Sequence, residues 1–362
     1  MGMGRGMGMG MGMGMGRGMG MGRGRGMVTA RTVWLTAPGA LEWREERLAG
    51  PEPGEILCRT LVTAISPGTE LAAWRGDPPL RPGPAYPRLQ GYCNVARVLE
   101  CGAGVEGLEP GDRVLTLQSH RSHFACPAAA AYVKLADAMA AQQVATAYLF
   151  HLGYNAVLRG GVRAGSRVCV IGLGVLGLTS TAMATQAGAE VFAVSDQAEP
   201  RRIAERDYGA RAAHARARAD ALRAAMGDGS GADVVILTTN GWDDFRLALE
   251  IAGRNAVIAC LGFPGRTRPP GDFNPLGAEH FYDKQLRIEA VGMSPLENDA
   301  RGFTRFNLRD NLAHIARAIG RGHPDARAIV SGIRPAGEIE RAYRDLEARR
   351  DGAITYLLDW TA

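Results

Sequence analysis

The sequence predicts an α/β fold in which a β-rich amino-terminal part precedes a doubly wound parallel sheet. Between residues 27 and 150, short apolar runs are punctuated by Gly and Pro, which is typical of strands joined by turns. From about residue 153, strand-like and helix-like segments alternate, as they do in parallel α/β sheets. A glycine-rich turn at 172–177 joins one β-branched run to a helical segment.

Residues 1–26 stand apart because Gly occupies every even position and Met or Arg every odd one. We interpret this tract as a disordered tail, or as upstream sequence included by a wrong start, since Met27 opens an ordinary domain. Subtracting its four arginines from the formal net charge of +5 leaves +1, so a nucleic-acid partner loses its main support. The other 336 residues (362 less 26) suggest two domains.

The individual elements follow from apolar runs and their bounding Gly and Pro residues. In the β-rich part, strands are predicted at 55–65, 94–99 and 113–117, and the five prolines of 77–87 predict a loop. Beyond it, we predict strands at 167–171, 191–194, 232–238, 256–261 and 287–291, with helices at 178–188, 201–208 and 243–251. The carboxyl-terminal segment predicts helices at 308–321 and 336–348 and a strand at 353–358.

The turn after the 167–171 strand carries the pattern G-x-G-x-x-G. Gly172 permits the tight turn, Gly174 lets the backbone approach a pyrophosphate, and Gly177 lets the helix lie close to the strand. The N–H groups of Val175 and Leu176, at the start of the helix, would face the phosphates. A strand before the motif and a helix after it favour dinucleotide binding over a glycine-rich turn that binds nothing.

The end of the second strand should select between NAD and NADP. An acid at this place accepts hydrogen bonds from the ribose hydroxyls of NAD, whereas a small polar residue and a nearby arginine suit NADP. Ser195 lies 18 residues after Gly177 and Asp196 lies 19 after it (195 − 177 and 196 − 177). If Ser195 occupies the place, NADPH fits, with Arg201 or Arg202 as phosphate partner. If Asp196 does, NADH fits. The arginines could also form a solvated helix face.

Cysteine usage and hydropathy favour the cytoplasm. None of the six cysteines forms a C-x-x-C pair, so neither a thiolate zinc cluster nor a redox dithiol is indicated. Without an export signal, reduced thiols are expected. The longest strongly apolar stretch, residues 168–178, is too short to span a bilayer, so no membrane partner is expected.

Four ordered motifs make the chain resemble the medium-chain dehydrogenase/reductase superfamily. Residues 67–70, Pro-Gly-Thr-Glu, are similar to the family's C-G-T-D element, and Gly91-Tyr92-Cys93 lies where the family has G-H-E. Residues 111–114 match its G-D-R-V strand, and 172–177 match its nucleotide fingerprint. The resemblance implies a GroES-like catalytic domain at 27–152, a Rossmann domain at 153–300 and a segment at 301–362 that returns to the catalytic domain. It also implies a small-molecule substrate and a homodimer.

The departures from the family pattern point to a member without zinc. Pro67 and Tyr92 stand where zinc members have Cys and His ligands, and no metal-binding side chain stands at 149–150. The four-cysteine structural lobe is absent as well. Cys93, His120 and His123 could in principle form a different metal site. Residues 65–70 and 91–92 resemble the branch that includes bacteriochlorophyllide dehydrogenases, and related branches reduce oxo groups on aminoglycosides.

These observations predict a zinc-free NAD(P)H-dependent oxidoreductase that reduces a ketone, or oxidises the matching alcohol, on a polar biosynthetic intermediate. An oxo-sugar of aminoglycoside type is the leading substrate. Without zinc, another donor must stabilise and protonate the carbonyl oxygen, and the candidates are Thr69, Tyr92 and His151. For Tyr92, this requires a lowered pKa. Each candidate has a structural alternative: a helix cap for Thr69, a core aromatic for Tyr92 and a satisfied histidine for His151.

Two other functions stay open. A reductase of carbon–carbon double bonds would need similar cofactor binding and an anchor for the oxygen of an enone. A non-catalytic homologue would bind the nucleotide without turnover. Three further residues are expected in supporting places, with Glu70 holding local structure and with His120 and His123 at the entrance or facing solvent.

Overall fold

The computed structural model describes residues 27–78, 85–266 and 268–362. The interpretation of residues 1–26, and most of the predicted 77–87 loop, lie outside the described residues. Within them, the predicted fold class is confirmed: a β-rich part is followed by a parallel sheet with helices on both faces.

The β-rich part contains two sheets. A hairpin of β1 and β2 pairs with the short strand β4, and a larger sheet has the order β15-β16-β3-β5-β6-β8, with β7 also paired to β3. The strands predicted at 55–65, 94–99 and 113–117 are confirmed as β3, β5 and β6. The amino-terminal elements are β1 Val28–Ala37, β2 Ala40–Leu48, β3 Glu55–Ala64, α1 Pro67–Arg75, β4 Arg88–Leu89, β5 Asn94–Cys101, β6 Arg113–Thr116, β7 His123–Pro127 and β8 Val133–Lys134.

Two helices lead from this part to the parallel sheet: α2 Ala141–Val144 and α3 Ala147–Gly160. Helix α3 packs against the helix that follows the glycine-rich turn. A Cβ at Gly153 would lie 2.5 Å from the backbone carbonyl carbon of Thr179, so only glycine permits this approach. The close contact fixes α3 relative to the glycine-rich turn at 172–177.

The second sheet has six parallel strands in the order β11-β10-β9-β12-β13-β14. All five predicted strands and all three predicted helices of this region are present. Strand β11 and helix α6 were not predicted. The elements are β9 Arg167–Ile171, α4 Val175–Gln186, β10 Glu190–Val194, α5 Ala198–Arg206, β11 Ala212–His214, α6 Ala219–Ala225, β12 Ala232–Leu237, α7 Trp242–Ile251, β13 Ala252–Cys260 and β14 Arg287–Ala290.

The carboxyl-terminal segment runs back to the β-rich part. Strand β16 pairs antiparallel with β3 and parallel with β15, so the last strand becomes part of the larger amino-terminal sheet. Helix α8 packs on α3. The elements are α8 Leu308–Gly320, β15 Val330–Pro335, α9 Ile339–Glu347 and β16 Thr355–Asp359. Nowhere in the described part of the chain is a helix both long and apolar enough to cross a bilayer.

Candidate functional site

The turn between β9 and α4 has the geometry that the glycine pattern predicts. Gly172 has φ +88°, and its N–H donates to the carbonyl of Val194 at 2.9 Å, which ties the turn to β10. A Cβ at Gly177 would lie 1.8 Å from the carbonyl oxygen of Gly172, so only glycine lets the helix pack here. A Cβ at Gly174 would meet nothing within 4 Å. The space outside Gly174 is therefore open to a ligand.

Helix α4 begins at Val175 with Gly174 at the N-cap, and no side chain caps it. The first N–H groups of an α-helix, here including those of Val175 and Leu176, have no acceptor within the helix. They carry the positive end of the helix dipole, which attracts phosphate oxygens. An uncapped helix start beside an open glycine is thus suited to a pyrophosphate.

At the carboxyl end of β10, Ser195 directly follows the strand. Its N–H donates to the carbonyl of His214 at 3.0 Å, and its carbonyl accepts from Arg201 at 2.6 Å. Asp196 is exposed. One of its carboxylate oxygens accepts from the backbone N–H of Arg216 at 3.2 Å, and the other lies 3.3 Å from the guanidinium of Arg216. The same guanidinium also binds the buried carboxylate of Asp244 at 2.6 Å, so two acids share one arginine at this edge.

Three hydroxyl groups meet beside Pro67 and Tyr92, the two positions that the family resemblance aligns with zinc ligands. Tyr92 donates to Oγ of Ser66 at 2.5 Å and is 3.1 Å from Oγ1 of Thr69. Helix α1 places two of these groups, because Ser66 is its N-cap and Thr69 lies in its first turn. The helix-cap alternative for Thr69 is therefore wrong. Burial raises the pKa of Tyr92, the opposite of the shift that an efficient acid near neutrality was expected to need.

A buried network lies beneath this cluster and is centred on Glu70. One carboxylate oxygen accepts from the N–H of Ser66 at 2.7 Å, and the other accepts from Tyr343 at 2.5 Å and contacts Nε2 of His120 at 2.9 Å. Nδ1 of His120 lies 2.8 Å from Oγ1 of Thr63. The expectation that His120 lines the entrance or faces solvent is wrong, because its ring is fully buried. The predicted structural place of Glu70 agrees with these contacts.

His151 lies one ring beyond the hydroxyl cluster. The rings of Tyr92 and Tyr148 meet edge to face at 5.3 Å between centroids, and Tyr148 and His151 lie at 5.6 Å. Nε2 of His151 is 3.5 Å from Oγ of Ser294, which donates to Oδ1 of Asn155 at 3.2 Å. Burial lowers the pKa of His151 to about 4, so its imidazole is neutral near pH 7.

The donor set at the zinc position does not fit zinc. Leu149 and Phe150, at the place of the third ligand, are fully buried apolar side chains. Burial raises the pKa of the Cys93 thiol well above its ordinary value, which opposes the thiolate form that binds metal. Both ring nitrogens of His120 are occupied, and His123 lies on β7 against Ser122. Among the described residues, no three His, Cys, Asp or Glu side chains could hold a metal ion together.

Two residues of this site were missed in the sequence. Ser66 directly precedes Pro67 and lies one helical turn before Thr69, so a second hydroxyl near the predicted Thr69 was the available sequence signal. Ser294 lies in the irregular segment after β14, where nothing in the local pattern distinguishes it from other loop serines. Its role is visible only from its contact with α3.

Comparisons with known proteins show which dehydrogenases this chain is similar to. Residues 175–306 match the family described as Zinc-binding dehydrogenase. The chain is 28% identical over 341 residues to L-threonine 3-dehydrogenase of Pyrococcus furiosus, covering 85% of this chain and 92% of that protein. It is 26% identical over 353 residues to 2-desacetyl-2-hydroxyethyl bacteriochlorophyllide A dehydrogenase of Cereibacter sphaeroides, covering 91% and 98%. 2R,3R-butanediol dehydrogenase from Bacillus subtilis has the same fold, with a TM-score of 0.76, 18% identity and coverage of 91% and 99%.

These similarities confirm the predicted resemblance to the medium-chain dehydrogenase/reductase superfamily. They also bear out the predicted class, an oxidoreductase of the alcohol-dehydrogenase type. The relatives named here act on different compounds, so the substrate of this chain has to be argued from its own residues.

Proposed function

We propose that this protein is an NADPH-dependent oxidoreductase that reduces a ketone on a polar natural-product intermediate, with an oxo-sugar of aminoglycoside type as the leading substrate. The observation that carries the proposal is the Tyr92–Ser66–Thr69 hydroxyl cluster, which includes the residue at the position of the family's zinc-binding His. Helix α3 joins this cluster to the nucleotide turn, because Tyr148 contacts Tyr92 while Gly153 packs against α4. The alternative direction, oxidation of the matching secondary alcohol, uses the same groups.

A nicotinamide cofactor, when bound, supplies or accepts the hydride. Gly172, Gly174 and Gly177 would shape the cradle for its pyrophosphate, and the N–H groups at the start of α4 would face the phosphates. Ser195 and Arg201, which are joined by a hydrogen bond at the end of β10, are the residues proposed to hold the adenosine ribose. The preference for NADPH rests on Ser195 directly after β10 and on Arg201 or Arg202, which would serve as the partner of a 2′-phosphate.

Tyr92 is the proposed hydrogen-bond donor to the carbonyl oxygen. Reduction of a ketone builds negative charge on that oxygen, and a positioned hydroxyl stabilises it and then protonates it. Burial raises the pKa of Tyr92, so the phenol holds its proton throughout the neutral range. A protonated phenol suits reduction, whereas alcohol oxidation would need its conjugate base. In this structure Tyr92 donates to Ser66, so the proposed step requires that proton to turn to the carbonyl oxygen while Ser66 or Thr69 donates to the phenol oxygen in its place.

His151 is not proposed as the general acid. A histidine whose pKa is lowered to about 4 carries no exchangeable positive charge near pH 7 and is a poor proton donor to an alkoxide. Its contacts with Ser294 and Tyr148 support a role in binding substrate rather than in acid–base chemistry.

A substrate panel tests this function. Wild-type protein should oxidise NADPH in the presence of cyclic polyhydroxylated ketones, and Tyr92→Phe should lower kcat while leaving the Kd for NADPH within about twofold. Turnover of an enone without turnover of ketones would favour a reductase of double bonds. Binding of NADPH without turnover of either class would favour the non-catalytic homologue.

The proposal includes a homodimer, which rests on the family resemblance, and a place in the cytoplasm, which rests on the cysteine usage described above. Sedimentation equilibrium of the full chain would show a mass of about twice the 38.5 kDa of one protomer.

A further inference from the structure

The polar groups around His151 leave one ring nitrogen in need of a donor. His151 is 3% exposed, and its Nδ1 has no hydrogen-bond partner among the described residues. An unpaired buried polar atom is costly, so such atoms usually have a partner in the working complex. The Tyr92–Ser66–Thr69 cluster does not satisfy this atom.

The neighbouring contacts decide which ring nitrogen carries the proton. Asn155 donates from its amide nitrogen to the carbonyl of Gly292 at 2.5 Å, which fixes its Oδ1 as the atom facing Ser294. The single hydroxyl proton of Ser294 goes to that Oδ1. Oγ of Ser294 can therefore only accept from His151, so Nε2 carries the imidazole proton and Nδ1 is a bare acceptor.

A bare acceptor selects a donor. A hydroxyl group supplies one, whereas a carboxylate, a phosphate or a carbonyl does not. The imidazole is neutral, and its immediate partners Ser294, Asn155 and Tyr148 are neutral as well. An uncharged hydroxyl fits this environment better than an ion does, because ions are poorly solvated by a few neutral groups.

We propose that Nδ1 of His151 accepts a hydrogen bond from a substrate hydroxyl other than the reacting one, and that Ser294 and Asn155 hold the imidazole in the tautomer this needs. The inference rests on the proposed function and narrows its substrate class to hydroxylated ketones. His151 lies one aromatic ring away from Tyr92, so the recognised hydroxyl is on a different carbon from the reacting carbonyl.

The kinetic test uses cyclohexanone and its 2-, 3- and 4-hydroxy derivatives with NADPH. Wild-type protein should prefer one hydroxylated ketone by at least tenfold in kcat/KM, and His151→Phe should reduce that ratio at least tenfold. The matched control is His314→Phe, which changes an exposed histidine on α8 and should leave the ratio unchanged. Equal losses for cyclohexanone and its derivatives would overturn the proposal and return His151 to catalysis or to structure.

Ser294→Ala covers the case in which His151→Phe does not fold. Ser294 is a half-buried loop residue. Removing its hydroxyl should lower the same kcat/KM ratio, because the imidazole of His151 would no longer be held with its proton on Nε2. An unchanged ratio in this variant would contradict the tautomer argument.

An equilibrium arm separates the two proposals. In protein with ¹⁵N-labelled histidine, the His151 Nδ1 resonance should be that of an unprotonated nitrogen and should shift with the preferred hydroxycyclohexanone but not with cyclohexanone. A shift without turnover would support the subsite and refute the proposed reaction. Turnover without a shift, or a protonated Nδ1, would refute the subsite alone.

Discussion

Two alanine substitutions in the glycine-rich turn should separate folding from cofactor binding. At Gly174 a Cβ meets no atom within 4 Å, and the backbone has φ −71°, which alanine adopts readily. Gly174→Ala should therefore change the free energy of unfolding by no more than about 0.5 kcal/mol. The added methyl group would nevertheless stand in the space assigned to the pyrophosphate. We expect the Kd for NADPH to rise at least tenfold, which corresponds to about 1.4 kcal/mol.

Gly177→Ala is the counterpart that should fail in folding. Its Cβ would lie 1.8 Å from the carbonyl oxygen of Gly172, a backbone atom that cannot move without displacing α4 from β9. Overpacking of this kind costs about 1–3 kcal/mol, and a backbone clash should lie at the upper end.

Urea denaturation followed by tryptophan fluorescence measures the free energy of unfolding, and titration of NADPH fluorescence measures the Kd for NADPH. If Gly174→Ala bound NADPH as tightly as wild type, the turn would not be the pyrophosphate site. If Gly177→Ala were as stable as wild type, the close packing of α4 on the turn would be wrong.

Three further predictions concern the active site and the network beneath it. Tyr92→Phe should lower kcat for ketone reduction at least a hundredfold, about 2.7 kcal/mol, with stability held within about 1 kcal/mol; an unchanged kcat in steady-state assays would remove Tyr92 from the mechanism. His120→Leu removes one hydrogen-bonding partner of the buried carboxyl group of Glu70 and should destabilise the fold by about 1–3 kcal/mol in urea, whereas His123→Leu on the half-buried face of β7 should cost under about 1 kcal/mol. Burial lowers the pKa of His151 from 6.5 to about 4 in the folded state. The contribution of His151 to the free energy of unfolding is therefore full above pH 6.5 and is lost as pH falls towards 4. His151→Phe should flatten that part of the curve of stability against pH, and an unchanged curve would contradict the lowered pKa.

The nucleotide-binding part could be predicted from sequence because its determinants are local. A β-branched run, the spaced glycines and the following helix lie within about twenty residues, and each glycine has a backbone reason for its place. The strand of 167–171 and the turn after it were accordingly placed with the bounds that the structure has. Strand β11 and helix α6 escaped prediction because β11 has three residues and α6 seven, in a segment where Ala and Arg give no clear period.

The buried network could not be predicted, because its partners are distant in sequence. His120 and Glu70 are 50 residues apart, and Glu70 and Tyr343 are 273 apart. Only the pairing of β16 with β3 brings the carboxyl-terminal segment to the base of α1. A histidine between Ser and Arg in a polar stretch resembles a surface residue until that topology is known. The shift in the pKa of Tyr92 escaped for the same reason, since it depends on burial that spacing does not reveal.

The most direct measurement is a parallel titration of the full chain with NADPH and NADH, followed by addition of a hydroxylated cyclic ketone to each complex. The account predicts that NADPH binds at least tenfold more tightly than NADH, about 1.4 kcal/mol, and that the ketone then oxidises it. Tighter binding of NADH would assign the ribose to Asp196 instead of Ser195 and favour alcohol oxidation. Binding of neither nucleotide would contradict the central claim that this chain is a nicotinamide-dependent oxidoreductase.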